Sequence, residues 1–391
     1  MITLVTNIRQ LVTPRGTEPA AGAAMGEIRV QEDVTLMIRD DRIVAVEPAG
    51  VPLKGDHVID ARGGVVVPGL VDACVTAHSS GVRDEDAAHR LPGPLESREE
   101  RDLSLLRVGM ETLLRHGTTS SEIRAVAPDG DAALEGILAG IQQLVRCVPL
   151  RLSAAFLGAP QVGMGSERSD RITKLIGETI PTVSRRHLAS TCVLLCGEGG
   201  YGRKEGRAVL RAARGAGLTL KLQAVGTDAD AVLLAVELEA ASVDHLASSA
   251  PDARQLGLLK KAGTIPVLLP AESVVRDGSW GTARPFVDAG LAVALGSSAD
   301  LGSGGVLSMW TGVALAVRRL GLSLAEAITA ATLNAAAVIG SSHQVGTLEP
   351  GKFADLVILE VDDVRAIPGF IVGLPIRAVL VGGKELSPTW R

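Results

Sequence analysis

The pattern of apolar and polar positions changes twice along the chain. Near the start, short runs rich in β-branched residues alternate with Gly, Pro and Asp-Asp turns, which predicts strands at residues 2–6, 35–39, 42–47 and 57–60. The end of the chain resumes this character, at residues 355–360 and 378–381. Either set alone would leave unpaired sheet edges, so we expect the two sets to pair with each other.

The long middle segment repeats a different unit, in which a buried run is followed by a polar loop and an amphipathic stretch. Eight buried strands are predicted, at residues 69–76, 119–124, 151–157, 191–196, 218–224, 241–246, 264–269 and 291–297. Helices are predicted between most of them, for example at residues 100–116, 204–216, 229–239, 251–262 and 324–340.

This alternation predicts an α/β fold of two parts. A (β/α)8 TIM barrel is expected over residues 66–349, and a small β-sandwich domain formed by the N- and C-terminal segments over residues 1–65 and 350–391. A doubly wound open sheet is the alternative, although no Gly-rich phosphate fingerprint follows an early strand.

Composition narrows the class of protein. Apolar residues make up 46% of the 391 residues and aromatic residues 2%, so the core consists of the aliphatic side chains that fill barrels. The net charge is −5 and no Lys/Arg stripe occurs, which argues against nucleic acid as a partner. No 18-residue apolar run and no signal peptide are recognisable, so we expect a cytoplasmic protein that does not bind membranes. The four cysteines do not form a disulfide framework: Cys74, Cys147, Cys192 and Cys196.

In such a barrel the chemistry lies at the carboxyl ends of the strands. In this sequence those ends carry polar residues but no histidine cluster of the kind a zinc hydrolase needs. In strand order they are Cys74, Thr76 and His78; Glu122 and Arg124; Pro160; Glu198; Gln223; Asp244 and His245; Glu272; Ser298 and Asp300.

Several segments resemble the amidohydrolase superfamily, and imidazolonepropionase in particular. VIDARGGVVVPGLVDA, at residues 58–73, is similar to the segment that leads into the first barrel strand of that superfamily. TAATLNAAAVIGSSHQVGTLEPGKFADL, at residues 329–356, resembles its closing helix and return strand. FLGA, ASVDHL and AGTIPVLLP, which begin at residues 156, 241 and 262, resemble imidazolonepropionase. The resemblance implies a homodimer and a metal-dependent hydrolase of a small cyclic substrate.

The metal-binding residues that the resemblance implies are not in this sequence. The family pattern is a His-x-His after the first strand, a His after the fifth and an Asp after the eighth. The matching residues here are Cys74, Thr76, Gln223 and Ser298. We therefore expect no metal cofactor, neither zinc nor iron. A metal site rebuilt from Cys74, His78 and His245 stays open as an alternative, although His78 is expected in the loop.

Three residues are candidates for catalysis. His245 matches the sixth-strand histidine of the family and is expected to act as a general acid or base, or else only to pack. Because Asp244 and His245 are consecutive in a strand, their side chains are expected on opposite faces and unable to pair. Cys74 is either a nucleophile or an inert core thiol, and Asp300 is the third candidate.

Further polar residues are candidates for substrate binding. By resemblance Arg83 contacts a substrate carboxylate, although it lies in a charged loop whose charges could simply be solvated. Arg124 and Glu122 are expected to pair on one face, either as structure or as an anchor for an acidic ligand. Gln223 and Ser298 complete the set at the mouth.

Two classes of function follow from these residues. One is a divergent enzyme that transforms a small cyclic, anionic molecule by metal-free acid–base chemistry, through ring opening, elimination or isomerisation. The other is a non-catalytic pseudoenzyme that serves as a scaffold or binds a partner protein. A C–N hydrolase with a rebuilt metal site is the third alternative.

Overall fold

The computed structural model describes residues 1–78, 98–126, 131–158, 166–197, 199–225, 229–246, 251–275, 280–302 and 304–386. In these ranges two sheets, one closed and one open, account for the strands. We number strands and helices separately in chain order.

The open sheet joins both ends of the chain. Its strands are β1 (Ile2–Thr13), β2 (Arg29–Arg39), β3 (Arg42–Pro48), β4 (His57–Asp60), β5 (Val65–Pro68), β15 (Leu356–Leu359), β16 (Ile376–Val381) and β17 (Lys384–Glu385). They are hydrogen-bonded in the order β17-β16-β15-β5-β1-β2-β3, with β4 beside β1. The predicted pairing of the two terminal strand sets into a small β domain is confirmed.

The β2–β3 hairpin illustrates how local chemistry builds this domain. Arg39 pairs with Arg42 across a two-residue turn, in which Asp40 has a φ of +56°. Asp is one of the few residues that adopt this left-handed conformation readily. Along β2 the buried residues Val34, Leu36 and Ile38 recur with the period of two that puts them on one face, which forms the domain's own core.

The closed sheet is the barrel. Its strands are β6 (Leu70–His78), β7 (Thr118–Val126), β8 (Arg151–Gly158), β9 (Thr191–Gly197), β10 (Thr219–Val225), β11 (Ser242–Asp244), β12 (Ile265–Leu268), β13 (Ala294–Leu295) and β14 (Ala299–Asp300). Every neighbouring pair is parallel, and β13 pairs with β12 while β14 pairs with β6. The last two short strands therefore act as one eighth strand that closes the ring. The (β/α)8 prediction is confirmed, and the open-sheet alternative is wrong.

Helices cover the outside of the barrel. They are α1 (Arg98–Arg115), α2 (Asp131–Leu144), α3 (Ser166–Lys174), α4 (Ile180–Arg185), α5 (Arg203–Gly215), α6 (Ala229–Glu237), α7 (Ala253–Ala262), α8 (Glu272–Val275), α9 (Arg284–Asp288), α10 (Met309–Arg319), α11 (Leu324–Ala331) and α12 (Leu333–Val338). A π-helical turn at Leu175–Thr179 connects α3 to α4, and 3-10 turns lie at Gly22–Gly26 and Val364–Gly369. Within the described ranges, none of these helices has the length and apolar character that crossing a bilayer requires.

Several boundaries differ from the predicted ones by a few residues, and two of the differences change how a residue is assigned. The helix predicted over residues 324–340 is two helices, because Thr332 leaves the helical region with φ −128° and ψ −88°. The first barrel strand runs two residues further than predicted and ends at His78, which is thus a strand residue and not a loop residue.

The barrel interior is divided into two halves of opposite character. Ala155, Leu157 and Val193 form an apolar half on β8 and β9. The other half carries charged residues that are almost completely buried: Glu122, Arg124, Lys221 and Asp244. Charges inside a barrel are stable only where they find partners, so this half positions the candidate site.

Candidate functional site

An ion network crosses the charged half of the barrel. Arg124 Nε donates to Glu122 Oε1 at 3.0 Å, and Arg124 Nη1 donates to Asp244 Oδ2 at 2.6 Å. The ammonium group of Lys221 contacts the other Glu122 oxygen. All four side chains are at most 1% exposed, so each charge is compensated by a direct partner and not by water. The structure thus brings together the candidates Glu122 and Arg124 and adds Asp244 and Lys221 to them.

Burial and pairing act against each other in the pKa values of this network. Burial lowers the pKa of Lys221, and the Glu122 carboxylate only partly offsets this. For Asp244, burial raises the pKa, but Arg124 and His245 outweigh burial and leave the pKa below its ordinary value. Asp244 is therefore an anion at neutral pH.

His245 lies at the upper end of the network. Its Nδ1 is 2.6 Å from Asp244 Oδ1 and its Nε2 is 2.9 Å from Glu272 Oε2. The prediction that Asp244 and His245 cannot pair is wrong. Strand β11 ends at Asp244, and His245 has a φ of +64°, so that the alternation of faces along a strand no longer applies to it.

The two carboxylates determine the charge of His245. Burial by itself lowers the pKa of the imidazole, but the hydrogen bonds to Asp244 and Glu272 outweigh burial and raise the pKa to about 9. The side chain is 18% exposed, so solvent reaches it from the barrel mouth. At neutral pH His245 is an imidazolium, which can donate a proton but cannot accept one.

A second histidine–carboxylate pair lies across the mouth. His78 Nδ1 contacts Asp300 Oδ2, and Thr76 Oγ1 lies 3.4 Å from the same oxygen. The other oxygen, Asp300 Oδ1, accepts a hydrogen bond from the backbone N–H of Gly302 at 2.7 Å. The catalytic candidate Asp300 is thus oriented by three groups, one of which is a histidine that the sequence had indicated as a loop residue.

The surroundings of Cys74 favour the core-thiol interpretation. The side chain is 1% exposed and packs in an apolar cluster with Val267 and Leu269. Burial raises the pKa of the thiol well above its ordinary value, although the Arg124 charge acts in the opposite direction. A thiolate is the reactive form, and this environment disfavours it.

The residues at the four family metal positions do not fit a metal ion. Cys74 is a buried thiol, the Thr76 hydroxyl donates to the Ala299 carbonyl at 3.2 Å, and Gln223 Nε2 lies 3.4 Å from His245 Nε2. Ser298 has a φ of +56°, and its N–H donates to the Cys74 carbonyl at 2.8 Å. These four side chains supply neither imidazole nor carboxylate, the ligands that hold zinc in such barrels.

The other chelating side chains of the described residues are not arranged around a common point. In the described parts of the chain, no three His, Cys, Asp or Glu side chains are arranged to share a metal ion. His78 is engaged by Asp300 and His245 by two carboxylates, so the alternative of a site rebuilt from Cys74, His78 and His245 has no geometric support.

Two residues of the site, Lys221 and Glu272, were not recognised as such from the sequence. Lys221 was missed, although its spacing of two from Gln223 in the strand puts it on the same inward face. Glu272 was noted only as a strand-end residue, and its contact with His245 depends on where α8 begins. Arg83, Pro160 and Glu198 lie outside the described residues.

Comparison with known proteins agrees with this architecture. The sequence model of the amidohydrolase family matches residues 245–386. Imidazolonepropionase from Solibacter usitatus is 35% identical over 97% of each chain, and the enzyme of that name from Thermoanaerobacter pseudethanolicus is 30% identical over 92% of this chain and 91% of its own.

Solved structures show the same fold at lower sequence identity. A Xaa-Pro dipeptidase with bound methionine superimposes with a TM-score of 0.70 at 17% identity, covering 99% of this chain and 100% of its own. Guanine deaminase from E. coli superimposes with a TM-score of 0.70 at 16% identity, covering 98% and 99%.

The barrel, its terminal β domain and its polar mouth define a protein of the amidohydrolase class. Within that class, the similarity over nearly the full length of both chains is decisive. The chain belongs to the imidazolonepropionase family.

Proposed function

We propose that this chain binds a small, cyclic, anionic molecule at the barrel mouth and moves protons on it without a metal ion. The observation that carries the proposal is the position of His245 between Asp244 and Glu272. The His245 imidazolium is an acid, the Glu272 carboxylate beside it is a base, and solvent reaches both at the barrel mouth. Enolisation of a ring carbonyl requires an acid and a base in this arrangement.

Each of the two groups has a defined task in this scheme. Glu272 removes a proton from the carbon next to the ring carbonyl, and the electron pair of the broken C–H bond moves into the carbonyl. His245 donates a hydrogen bond, and then its proton, to the oxygen as negative charge develops there. Return of the proton to the carbon, or to a neighbouring atom, completes an exchange or an isomerisation.

The surrounding residues keep this acid charged and oriented. Arg124 binds the Asp244 oxygen that His245 does not use, so Asp244 stays anionic and holds the imidazole ring in one orientation. The His78–Asp300 pair faces the same mouth and supplies a second acid–base pair. Gln223, beside His245, offers an amide for a polar ring substituent.

The names of the relatives suggest a first probe, imidazolone propionate. We expect no hydrolysis of its ring, with or without added zinc, because nothing in the site would lower the pKa of an attacking water. In deuterium oxide we expect the protein to catalyse exchange of the ring proton next to the carbonyl, and proton NMR measures the rate of this exchange. The exchange should persist in the presence of a chelator and fall about a hundredfold or more in His245→Gln.

His57→Gln is the matched control, because His57 is an exposed histidine of the small β domain. It should leave the exchange rate unchanged. Ring opening that a chelator abolishes would contradict the proposal and indicate a metal hydrolase.

A non-catalytic scaffold is the second candidate, and one observation favours it. The charges of Glu122, Arg124, Lys221 and Asp244 neutralise one another without a ligand, so the interior is stable on its own. If imidazolone propionate neither binds in calorimetry nor exchanges its ring proton, while the chain is folded, the scaffold replaces the enzyme as the better explanation.

A further inference from the structure

The Arg124–Asp244 ion pair lies at the level of the family metal positions. In the β6–β7 ladder, Arg124 is the direct neighbour of Thr76. In the β10–β11 ladder, Asp244 is the direct neighbour of Gln223. Thr76 and Gln223 are two of the four positions at which the family resemblance implies metal ligands, one on the first barrel strand and one on the fifth.

The contact between these two side chains therefore crosses the barrel. Strands β7 and β11 are separated in the sheet by β8, β9 and β10, so their inward side chains can meet only through the interior. Arg124 Nη1 nevertheless reaches Asp244 Oδ2 at 2.6 Å. The guanidinium thus joins the two sides of the barrel that a metal bound at Thr76 and Gln223 would join.

We infer that the guanidinium of Arg124, which reaches across the interior to Asp244, occupies the space of a divalent metal ion in this barrel and excludes such an ion. Its charge is fixed by Glu122 on its own strand and by Asp244 across the interior. The inference concerns what occupies the site and does not depend on the proton chemistry proposed above.

Charge balance supports the exclusion. The buried anions Glu122 and Asp244 are matched by the buried cations Arg124 and Lys221, and His245 is matched by Glu272. A divalent cation added among the neutral side chains of the four metal positions would bring two positive charges into a buried site, of which the nearby carboxyl group of Asp72 could match at most one.

The packing around the first metal position also supports the exclusion of an ion. A Cβ atom at Gly296 would lie 2.9 Å from the Cβ of Cys74, so the backbone of the eighth strand is pressed against the first metal position. Arg124 Nη2 is buried and, among the described residues, has no hydrogen-bond acceptor.

The test restores the four family ligands and varies Arg124. The host variant is Cys74→His, Thr76→His, Gln223→His and Ser298→Asp, prepared with Arg124, with Arg124→Lys and with Arg124→Met. Zinc affinity is measured by competition with a chelating dye and by elemental analysis after dialysis. We expect the Arg124→Met version to bind zinc at least tenfold more tightly than the version that keeps arginine.

The Arg124→Lys version separates charge from shape. If the positive charge excludes the ion, the zinc affinity of the Arg124→Lys version stays low. If the size of the guanidinium excludes the ion, the zinc affinity of the Arg124→Lys version rises towards that of the Arg124→Met version. Equal zinc affinity in all three versions would overturn the inference. Because no activity is measured, this failure is distinct from a failure of the proposed proton chemistry.

A second measurement covers the case in which the fourfold host does not fold. In the otherwise natural chain, Arg124→Met frees Glu122 and Asp244, and we expect added zinc to raise its unfolding temperature while leaving that of the natural chain unchanged. Arg168→Met, which removes an arginine–glutamate pair outside the barrel interior, is the control and should not respond. An equal zinc response of the natural chain and Arg124→Met, including none in either, counts against the inference.

Discussion

At the scale of single residues, environment and not residue type determines what the candidate groups can do. His245 and His78 are both histidines at the barrel mouth, but the first has two carboxylate partners and the second contacts Asp300. Cys74 is a potential nucleophile by type, yet burial keeps its thiol protonated. The residue that dominates the interior is Arg124, whose contacts connect two strands and fix the charge of Asp244.

The raised pKa of His245 predicts a pH-dependent stability. Its pKa rises from 6.5 in the unfolded chain to about 9 in the folded chain, so its contribution is complete below pH 6.5 and is lost as the pH rises through 9. The shift corresponds to about 3 kcal/mol. We expect urea unfolding to show this fall between pH 6.5 and 9.5 in the natural chain and in His57→Gln, but not in His245→Gln. An unchanged pH profile in His245→Gln would show that the ion pairs do not stabilise the fold.

Asp72 predicts a pH dependence at lower pH. It is completely buried, and burial raises its pKa from 3.8 to about 6, although the backbone N–H groups of Ser297 and Cys74 donate to it at 2.9 and 3.1 Å. Because the folded pKa is raised, the stability falls as the pH rises from 3.8, where the unfolded chain ionises, to about 6, by about 3 kcal/mol in total.

The variant Asp72→Asn isolates this effect. Asn keeps an oxygen that accepts both backbone N–H groups but cannot ionise. The free energy of unfolding, measured in urea at pH 4.5 and 7, should fall less for Asp72→Asn than for the natural chain. Equal changes in the two proteins would mean that Asp72 does not titrate in this window.

At the scale of elements, the eighth barrel strand is the least regular. It consists of β13 and β14, and the interruption between them contains Ser298 in the left-handed region, with a φ of +56°. This conformation lets the Ser298 N–H reach the Cys74 carbonyl while Asp300 still pairs with Thr76 on β6. The closure of the ring therefore depends on a residue that tolerates a positive φ.

Substitution at Ser298 tests this dependence. Ser298→Val is expected to cost about 1–3 kcal/mol, because a β-branched residue is strained at positive φ. Ser298→Gly should be neutral or slightly stabilising for the same reason. The midpoints of denaturant unfolding measure the stability of both variants. A valine variant as stable as the glycine variant would refute the argument from strain.

At the scale of the whole molecule, the motif Gly-Lys-Phe-Ala-Asp-Leu at residues 351–356 connects the barrel to the small β domain. Lys352 Nζ donates to the carbonyls of Gly16, Ser342 and Val345 at 2.8, 2.7 and 3.3 Å. Asp355, just before β15, accepts from Arg151, the first residue of β8, at 2.5 and 3.1 Å. The contacts with Gly16 and Arg151 join segments that are 336 and 204 residues apart in the sequence.

The Asp355–Arg151 pair should therefore contribute more to stability than an ordinary surface pair. Asp355 is buried, and its loss leaves Arg151 and the Gly382 N–H without a carboxylate, so we expect Asp355→Asn to cost about 2–3 kcal/mol. Asp363→Asn, which breaks an exposed aspartate–arginine pair, should cost much less, because solvent screens the pair. Chemical denaturation measures both, and equal losses would contradict the bridging role.

The sequence by itself determined the architecture of this protein. Eight buried runs between amphipathic stretches give eight strands and a closed barrel, because the periods of 2 and 3.6 residues depend only on local backbone geometry. The terminal motifs gave the family, and the residues at the four metal positions, Cys74, Thr76, Gln223 and Ser298, could be read directly. The inward pairing of Glu122 with Arg124 also followed from their spacing of two.

Only the tertiary structure decided which side chains meet inside the barrel. Arg124 and Asp244 are 120 residues apart, and their contact exists because the ring closes and turns β7 towards β11. Asp244 and His245 pair because one residue adopts a positive φ where its strand ends, a choice that strand periodicity cannot reveal. The sequence thus located the missing metal ligands, whereas closure of the sheet brought the guanidinium of Arg124 to the same level of the barrel.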